Sequence, residues 1–255
     1  MMQAFMVVLR EGIEAFLIVA ITFAYLRKTK RNYLIPSALW GVAGSVLVSG
    51  ILGYWLWKTQ GAHQPLWEGS LAVVTAILVV SFVIHMQKVG PHFKQDVEQH
   101  IDQAAKKSAS SFIGIFLFTV LMISREGMEM VLLLLQIQGQ QLMTGVFLGI
   151  LAAAAVAVLW QQFGYLINLK KFFQITSVFL VLFSIQIAVQ AFHEFTEAGI
   201  FPNSEALHAA TEPYSTAGVY GKLYSNVVFF GCAFWLMISL FSEKVLNTKK
   251  ALQNF

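Results

Sequence analysis

The sequence predicts an all-α, polytopic membrane protein with seven transmembrane helices, arranged as a three-plus-three inverted repeat plus one C-terminal helix. Three observations carry that prediction. Hydrophobic residues make up 57% of the 255-residue chain, charged residues only 12%, and the mean hydropathy is +0.68, outside the range of ordinary soluble domains. Seven apolar runs approach or exceed the roughly 20 residues that cross a bilayer as one helix: 4–26, 34–57, 66–86, 112–135, 142–163, 172–192 and 221–241, here spans 1 to 7. An expensive charged motif occurs twice, three spans apart.

The cations set the expected orientation. Arg27, Lys28, Lys30 and Arg31 follow span 1; Lys88, Lys94, Lys106 and Lys107 separate spans 3 and 4; Lys170 and Lys171 separate spans 5 and 6; Lys244, Lys249 and Lys250 follow span 7. Opposite connections carry only Lys58 and Lys222, while Arg10 and Arg125 lie inside spans. The positive-inside rule then puts the N-terminus outside and the C-terminus in the cytoplasm. The pI of 9.1 follows from this loop bias and gives no reason to expect nucleic acid as a partner. Span 1 begins almost at Met1 with no basic n-region and no small-residue cleavage site, and reads as a retained helix. With Cys232 the only cysteine, an internal disulfide and a thiolate metal cluster are both excluded.

Span 1 carries Arg10-Glu11-Gly12-Ile13-Glu14, and span 4 repeats it as Arg125-Glu126-Gly127-Met128-Glu129. Each ionisable side chain in mid-membrane opposes insertion by about 2.5–3.5 kcal/mol, so three oppose it by about 9 kcal/mol. Helical spacing of three and four residues puts all three charges of a motif on adjoining faces. The central glycine admits a neighbouring backbone or a partly dehydrated ion.

Spans 2 and 5 share a different pattern. Gly41, Ser45, Ser49 and Gly53 recur every fourth residue, as do Gly145, Gly149, Ala153 and Ala157, and tight helix packing is the preferred explanation of both stripes. Pairing span 1 with 4 and span 2 with 5 makes residues 1–86 and 112–199 two inverted repeats of one membrane domain, with 221–241 an addition. Spans 3 and 6 show no convincing match.

Span 3 opens on Trp67 and Glu68, which suit an interfacial aromatic belt with an acidic helix N-terminus and equally an entry-site carboxylate. His85 at its other end reads as interfacial. Between spans 3 and 4, Phe93, Val97 and Ile101 mark an amphipathic surface helix. Its His92, Asp96 and His100 have a spacing that can bind metal, but a solvated face is the simpler reading. Met128 and Met130 are read as gap fillers and not as thioether ligands. In span 6 and just beyond, Gln186, Gln190, His193, Glu194 and Glu197 form one polar face, and Glu205, His208 and Glu212 follow in the next loop. Amides bonding neighbouring helices and an acidic funnel for cations are both open readings.

Each charged motif carries one net negative charge, so an arginine can neutralise one glutamate and leave one carboxylate over. Buried carboxylates without partners stay protonated or bind a cation. Carboxylate oxygens suit hard cations: ferric iron, manganese, calcium, magnesium and protons. Interhelical ion pairs that only hold the bundle together are the structural alternative, and a purely stabilising pair would not need the second carboxylate.

The doubled Arg-Glu-Gly-x-Glu motif, with Trp67-Glu68-Gly69 opening span 3 and His193-Glu194-Phe195-Thr196-Glu197-Ala198-Gly199 closing span 6, resembles the oxidase-dependent iron transporter (iron/lead transporter) family and its bacterial iron permeases. Ile13 and Met128 stand where leucine is commonest in that motif, an apolar exchange that leaves the chemistry alone. The resemblance covers nearly the whole chain. It implies a permease, not an enzyme, that imports iron across the bacterial cytoplasmic (inner) membrane. An extracytoplasmic iron-oxidising or iron-binding partner would oxidise ferrous iron outside and hand over the ferric ion. By the same resemblance Glu11, Glu14, Glu126 and Glu129 would coordinate iron, Arg10 and Arg125 would position them and balance charge, and Glu68, His193, Glu194 and Glu197 would receive the ion at the outer mouth. Iron would be the substrate, with no permanently bound cofactor.

Two rivals stay open. One is transport of another metal such as lead or manganese. The other is an intramembrane di-iron carboxylate enzyme, although such centres generally add Glu-x-x-His pairs and no apolar span here contains one. No phosphate-binding Gly-Lys-Ser/Thr loop occurs, so transport would draw on membrane potential, a proton gradient or the oxidation itself. An oligomer is compatible with the sequence, which does not fix its size.

Overall fold

The computed structural model describes residues 1–60, 65–89, 93–105, 111–137, 141–163 and 169–253. Among them there are nine α-helices and no strand: α1 (Met2–Lys28), α2 (Ile35–Gln60), α3 (Pro65–Val89), α4 (Phe93–Ala105), α5 (Ser111–Leu135), α6 (Leu142–Phe163), α7 (Leu169–Glu197), α8 (Ser204–Thr211) and α9 (Val219–Gln253). The seven apolar runs fall on α1, α2, α3, α5, α6, α7 and α9. Within the described residues, Asn32–Lys58, Pro65–Ile84 and Lys171–Glu197 are long and apolar enough to cross a membrane, and Leu142–Val158 is a shorter apolar helix. The side chains of His85, His92 and Asp96, and those of Lys88, Lys94, Lys106, Lys107, Lys170, Lys244, Lys249 and Lys250, lie outside the described residues.

Local chemistry sets the helix ends. Lys30 takes a left-handed conformation (φ 58°) after α1, and the Arg31 N–H returns to the Leu26 carbonyl at 2.8 Å, closing the exposed end of the helix. Pro36 then sits in the first turn of α2, where its missing N–H costs nothing. Gly199 (φ 72°) ends α7 in the same way, with the Ile200 N–H on the Phe195 carbonyl. There a side chain would be strained.

The small-residue stripes prove to be helix contacts. A Cβ added at Gly41 would meet Thr119 and the Phe116 carbonyl on α5, and one at Gly145 would meet Met1 and Ala4 at the start of α1. So α2 packs along α5 and α6 packs along α1, and α3 packs along α7 to a similar extent. Small residues let backbones approach where dispersion supplies the attraction. The main core joins α1, α3, α5, α6, α7 and α9 around Phe179, Phe183 and Ile187. Large apolar side chains such as Trp40, Leu47, Ile51 and Trp55 on α2 and Phe147 and Leu151 on α6 face outward, as helices in contact with acyl chains do.

Helix α4 is the amphipathic helix that the sequence pattern predicts, and its apolar stripe seats on protein. Val97 and Ile101 are fully buried against Leu26, Leu34, Ala38 and Ile115, and Arg31 pairs with Asp102 at 3.1 Å. Its apolar stripe fits a protein groove between the ends of α1 and α5. Amphipathic periodicity alone does not distinguish that groove from lipid.

Candidate metal centre

The two charged motifs meet. Glu11 on α1 and Glu126 and Glu129 on α5 are all buried, and one carboxylate oxygen from each lies within 4.8 Å of the other two. These three helical positions converge because α1 and α5 cross directly, with α6 and α2 seated on their outer sides. The close approach uses the motif glycines: a Cβ on Gly12 would lie 2.8 Å from the Ala153 Cβ, and one on Gly127 would collide with the Ser49 side chain. Both glycines therefore admit a neighbouring helix.

Charge is shared unequally. Arg10, only 1% exposed, donates from Nη1 to Glu11 Oε1 at 2.5 Å and pairs through Nη2 with Glu14 Oε1 at 2.8 Å, the second contact being an ion pair without hydrogen-bond geometry. Arg125 is less enclosed. Its Nε donates to Glu129 Oε1 at 3.1 Å and its guanidinium lies 5.1 Å from the centre of the Phe82 ring. Glu126 has no ion pair among the described residues, and Glu126 Oε2, like Glu11 Oε2, is buried without a hydrogen-bond partner. The expectation of one spare carboxylate in each motif thus changes: Arg10 reaches two carboxylates because the i+1 and i+4 positions flank it, and Glu126 is the one left over. Buried acceptors without donors are costly and rare. They suit a site that receives a cation.

A narrow cavity reaches Glu11 and Glu129 from the α3 side, past Thr75, Val79, Phe82 and Leu180. Thr75 Oγ1 is spoken for by the Leu71 carbonyl at 2.7 Å, yet it still accepts a long contact from Gln136 Nε2 at 3.5 Å. Sequence reasoning passed over Thr75. It lies two turns from Glu68 on one face of α3, which was the available signal.

The remaining candidates cluster where α3 begins and α7 ends. Gly69 abuts Phe195 and the Glu194 Cβ, bringing Glu68 within electrostatic reach of Glu194. The amides of the α7 polar face are structural. Gln186 donates to the Gly221 carbonyl at 3.1 Å and accepts from Gln3 and Ser225; Gln190 donates to Glu194 and accepts from the Thr216 backbone at 2.8 Å. His193 and Glu197 remain, and His208 from α8 joins them. One ligand atom from each lies within 4.8 Å of the others.

A protein-family model described as the iron permease FTR1 family matches residues 1–237. Among curated proteins, the ferrous iron permease EfeU of Yersinia pestis is 30% identical over 236 residues, covering 89% of this chain and 84% of that protein. The ferrous iron permease EfeU of Escherichia coli O157:H7 is 29% identical over 236 residues, covering 89% and 86%. A protein of Escherichia coli K12 described as a putative inactive ferrous iron permease EfeU is 29% identical over 237 residues. No solved structure matches. With the family model spanning nearly the whole sequence, the chain belongs to the iron permease FTR1 family, a family of transporters and not of enzymes.

Proposed function

We propose that this chain imports iron across the bacterial cytoplasmic membrane, passing the ion between Glu11, Glu14, Glu126 and Glu129. The observation that carries the reading is the meeting of Glu11, Glu126 and Glu129 from both motifs in a buried cluster with two unpartnered oxygens. All donors there are carboxylate oxygens, which suit a hard ion. The relatives are named ferrous iron permeases. An extracytoplasmic partner oxidises that ion and the ferric product enters the carboxylate path, Arg10 and Arg125 balancing its charge. Glu68, His193, Glu194 and Glu197 gather cations at the outer mouth. Iron is the substrate throughout, with no resident cofactor.

The membrane arrangement belongs to the same proposal. Helices α1, α2, α3, α5, α6, α7 and α9 are seven spans, with the N-terminus outside and the C-terminus in the cytoplasm. Residues 1–86 and 112–199 form inverted repeats, a plan supported by matched contacts: Gly12 on Ala153 answers Gly127 on Ser49, and Gly145 on Met1 and Ala4 answers Gly41 on Phe116 and Thr119. A pseudo-twofold between the repeats puts α1 and α5 across from each other at mid-membrane, where transporters of this plan hold their substrate.

Radiolabelled iron uptake in cells lacking other importers tests the proposal, with the candidate extracytoplasmic partner supplied and membrane levels matched. Uptake by the wild type and its loss in Glu129→Gln are the expected pair of results. Unchanged uptake in the variant removes the carboxylate path.

A further inference from the structure

Away from the carboxylate centre, we propose that His193, Glu197 and His208 form a second metal site, which binds ferrous iron as a divalent first-row cation before it reaches the glutamates. This proposal rests on the reading of the chain as an iron importer. It adds a ligand, His208, and a donor set of different chemistry. At about 1.5 Å of rise per residue, His193 lies about 20 Å along α7 from Leu180 at the carboxylate cavity, so one ion does not serve both places.

The site is assembled by the turn that ends α7. His193 and Glu197 are one helical turn apart, Gly199 stops the helix, and Asn203 (φ 60°) starts α8 so that His208 folds back. The two imidazoles stack with ring centres 4.5 Å apart and planes at 19°. Thr211 Oγ1 lies 2.8 Å from His193 Nδ1 and 2.9 Å from the Leu207 carbonyl. When the hydroxyl proton goes to Leu207, His193 Nδ1–H donates to the same oxygen and Nε2 is the free lone pair. Hydrogen bonds of this kind orient metal-binding histidines. His208 contributes a further sign, since its Nδ1 is buried without a hydrogen-bond partner. A stacked histidine pair that served packing alone would not be expected to leave a buried ring nitrogen unsatisfied.

Two imidazoles and one carboxylate with open positions make a donor set suited to ferrous iron and related divalent ions. The inner centre offers only oxygen. The two sites thus differ in the ion they suit: mixed nitrogen and oxygen for a divalent first-row ion, oxygen alone for a harder one. Glu194 and Glu212 lie within electrostatic reach of this cluster, and Glu68 within reach of Glu194, so they raise the local cation concentration.

The test uses the purified full chain under anaerobic conditions with ferrous iron as the probe. Electron-spin-echo spectra of its nitrosyl adduct should show imidazole nitrogen coupling in the wild type. Equilibrium dialysis should show His193→Ala and His208→Ala each weakening that site by at least about 100-fold, and Thr211→Val by about 10- to 100-fold. Glu126→Gln should retain it. A wild-type spectrum without imidazole coupling overturns the proposal whether or not any variant folds, as does unchanged binding in folded His208→Ala. Should Glu126→Gln still transport iron, the carboxylate path falls while the nitrogen-ligated site is judged by its own spectrum.

Discussion

Glu11 and Glu126, one from each charged motif, bring carboxylate oxygens within 4.8 Å of each other, yet among the described residues only Glu11 of the two has an arginine partner. That asymmetry makes Glu126 the residue at which structural and transport roles separate. Removing a partner from a buried ion pair is destabilising, whereas neutralising an unpaired buried carboxylate is not. Glu126→Gln should therefore leave thermal stability unchanged or higher. It should lower iron uptake by at least tenfold, equivalent to a barrier raised by about 1.4 kcal/mol. Uptake and unfolding temperature measured on the same preparation check both halves.

The two arginines should differ. Arg10→Met leaves Glu11 and Glu14 buried together without a cation, a loss of about 3–5 kcal/mol. Arg125→Met removes the ion pair to Glu129 and the contact with the Phe82 ring from a side chain that is 38% exposed, for which about 2 kcal/mol or less is expected. Thermal unfolding in detergent should rank Arg10→Met well below Arg125→Met. Equal losses would mean that the burial difference between the two motifs has no energetic weight.

Helix packing at the motif glycine is testable by compensation. In Gly12→Ala the new Cβ lies 2.8 Å from that of Ala153, an overpacked contact costing about 1–3 kcal/mol. Gly12→Ala with Ala153→Gly should recover most of the loss, because the two atoms exchange places. Unfolding temperatures of the two single variants and the double variant complete the cycle. Failure to recover would point to a role for Gly12 beyond making room for α6.

Much of this architecture was legible because hydropathy and charge report directly on burial. All seven apolar runs fall on observed helices, and the stripes containing Gly41 and Gly145 are helix contacts. Helix α7 runs on to Glu197, past the apolar run. Its amides and His193 find partners on α1, α8, α9 and the segment between them, which a hydropathy window does not register. Sharing of Arg10 between two glutamates was hidden because spacing fixes a helix face and not the reach of a side chain. The approach of His208 to His193 was hidden for another reason: it depends on the turn at Gly199 and the left-handed Asn203, a tertiary result with no periodic signature.

Orientation yields the last prediction. With Cys232 replaced by serine, a cysteine at Glu205 on α8 or at Gln99 on α4 reports its side of the membrane, since both positions are exposed. An impermeant maleimide added to intact spheroplasts should label Glu205→Cys, and Gln99→Cys only after permeabilisation, because the cation bias puts α4 inside. The reverse pattern would turn the His193 and Glu194 cluster toward the cytoplasm. It would then sit at the exit of an importer, where an acidic, metal-binding mouth retards release instead of aiding capture.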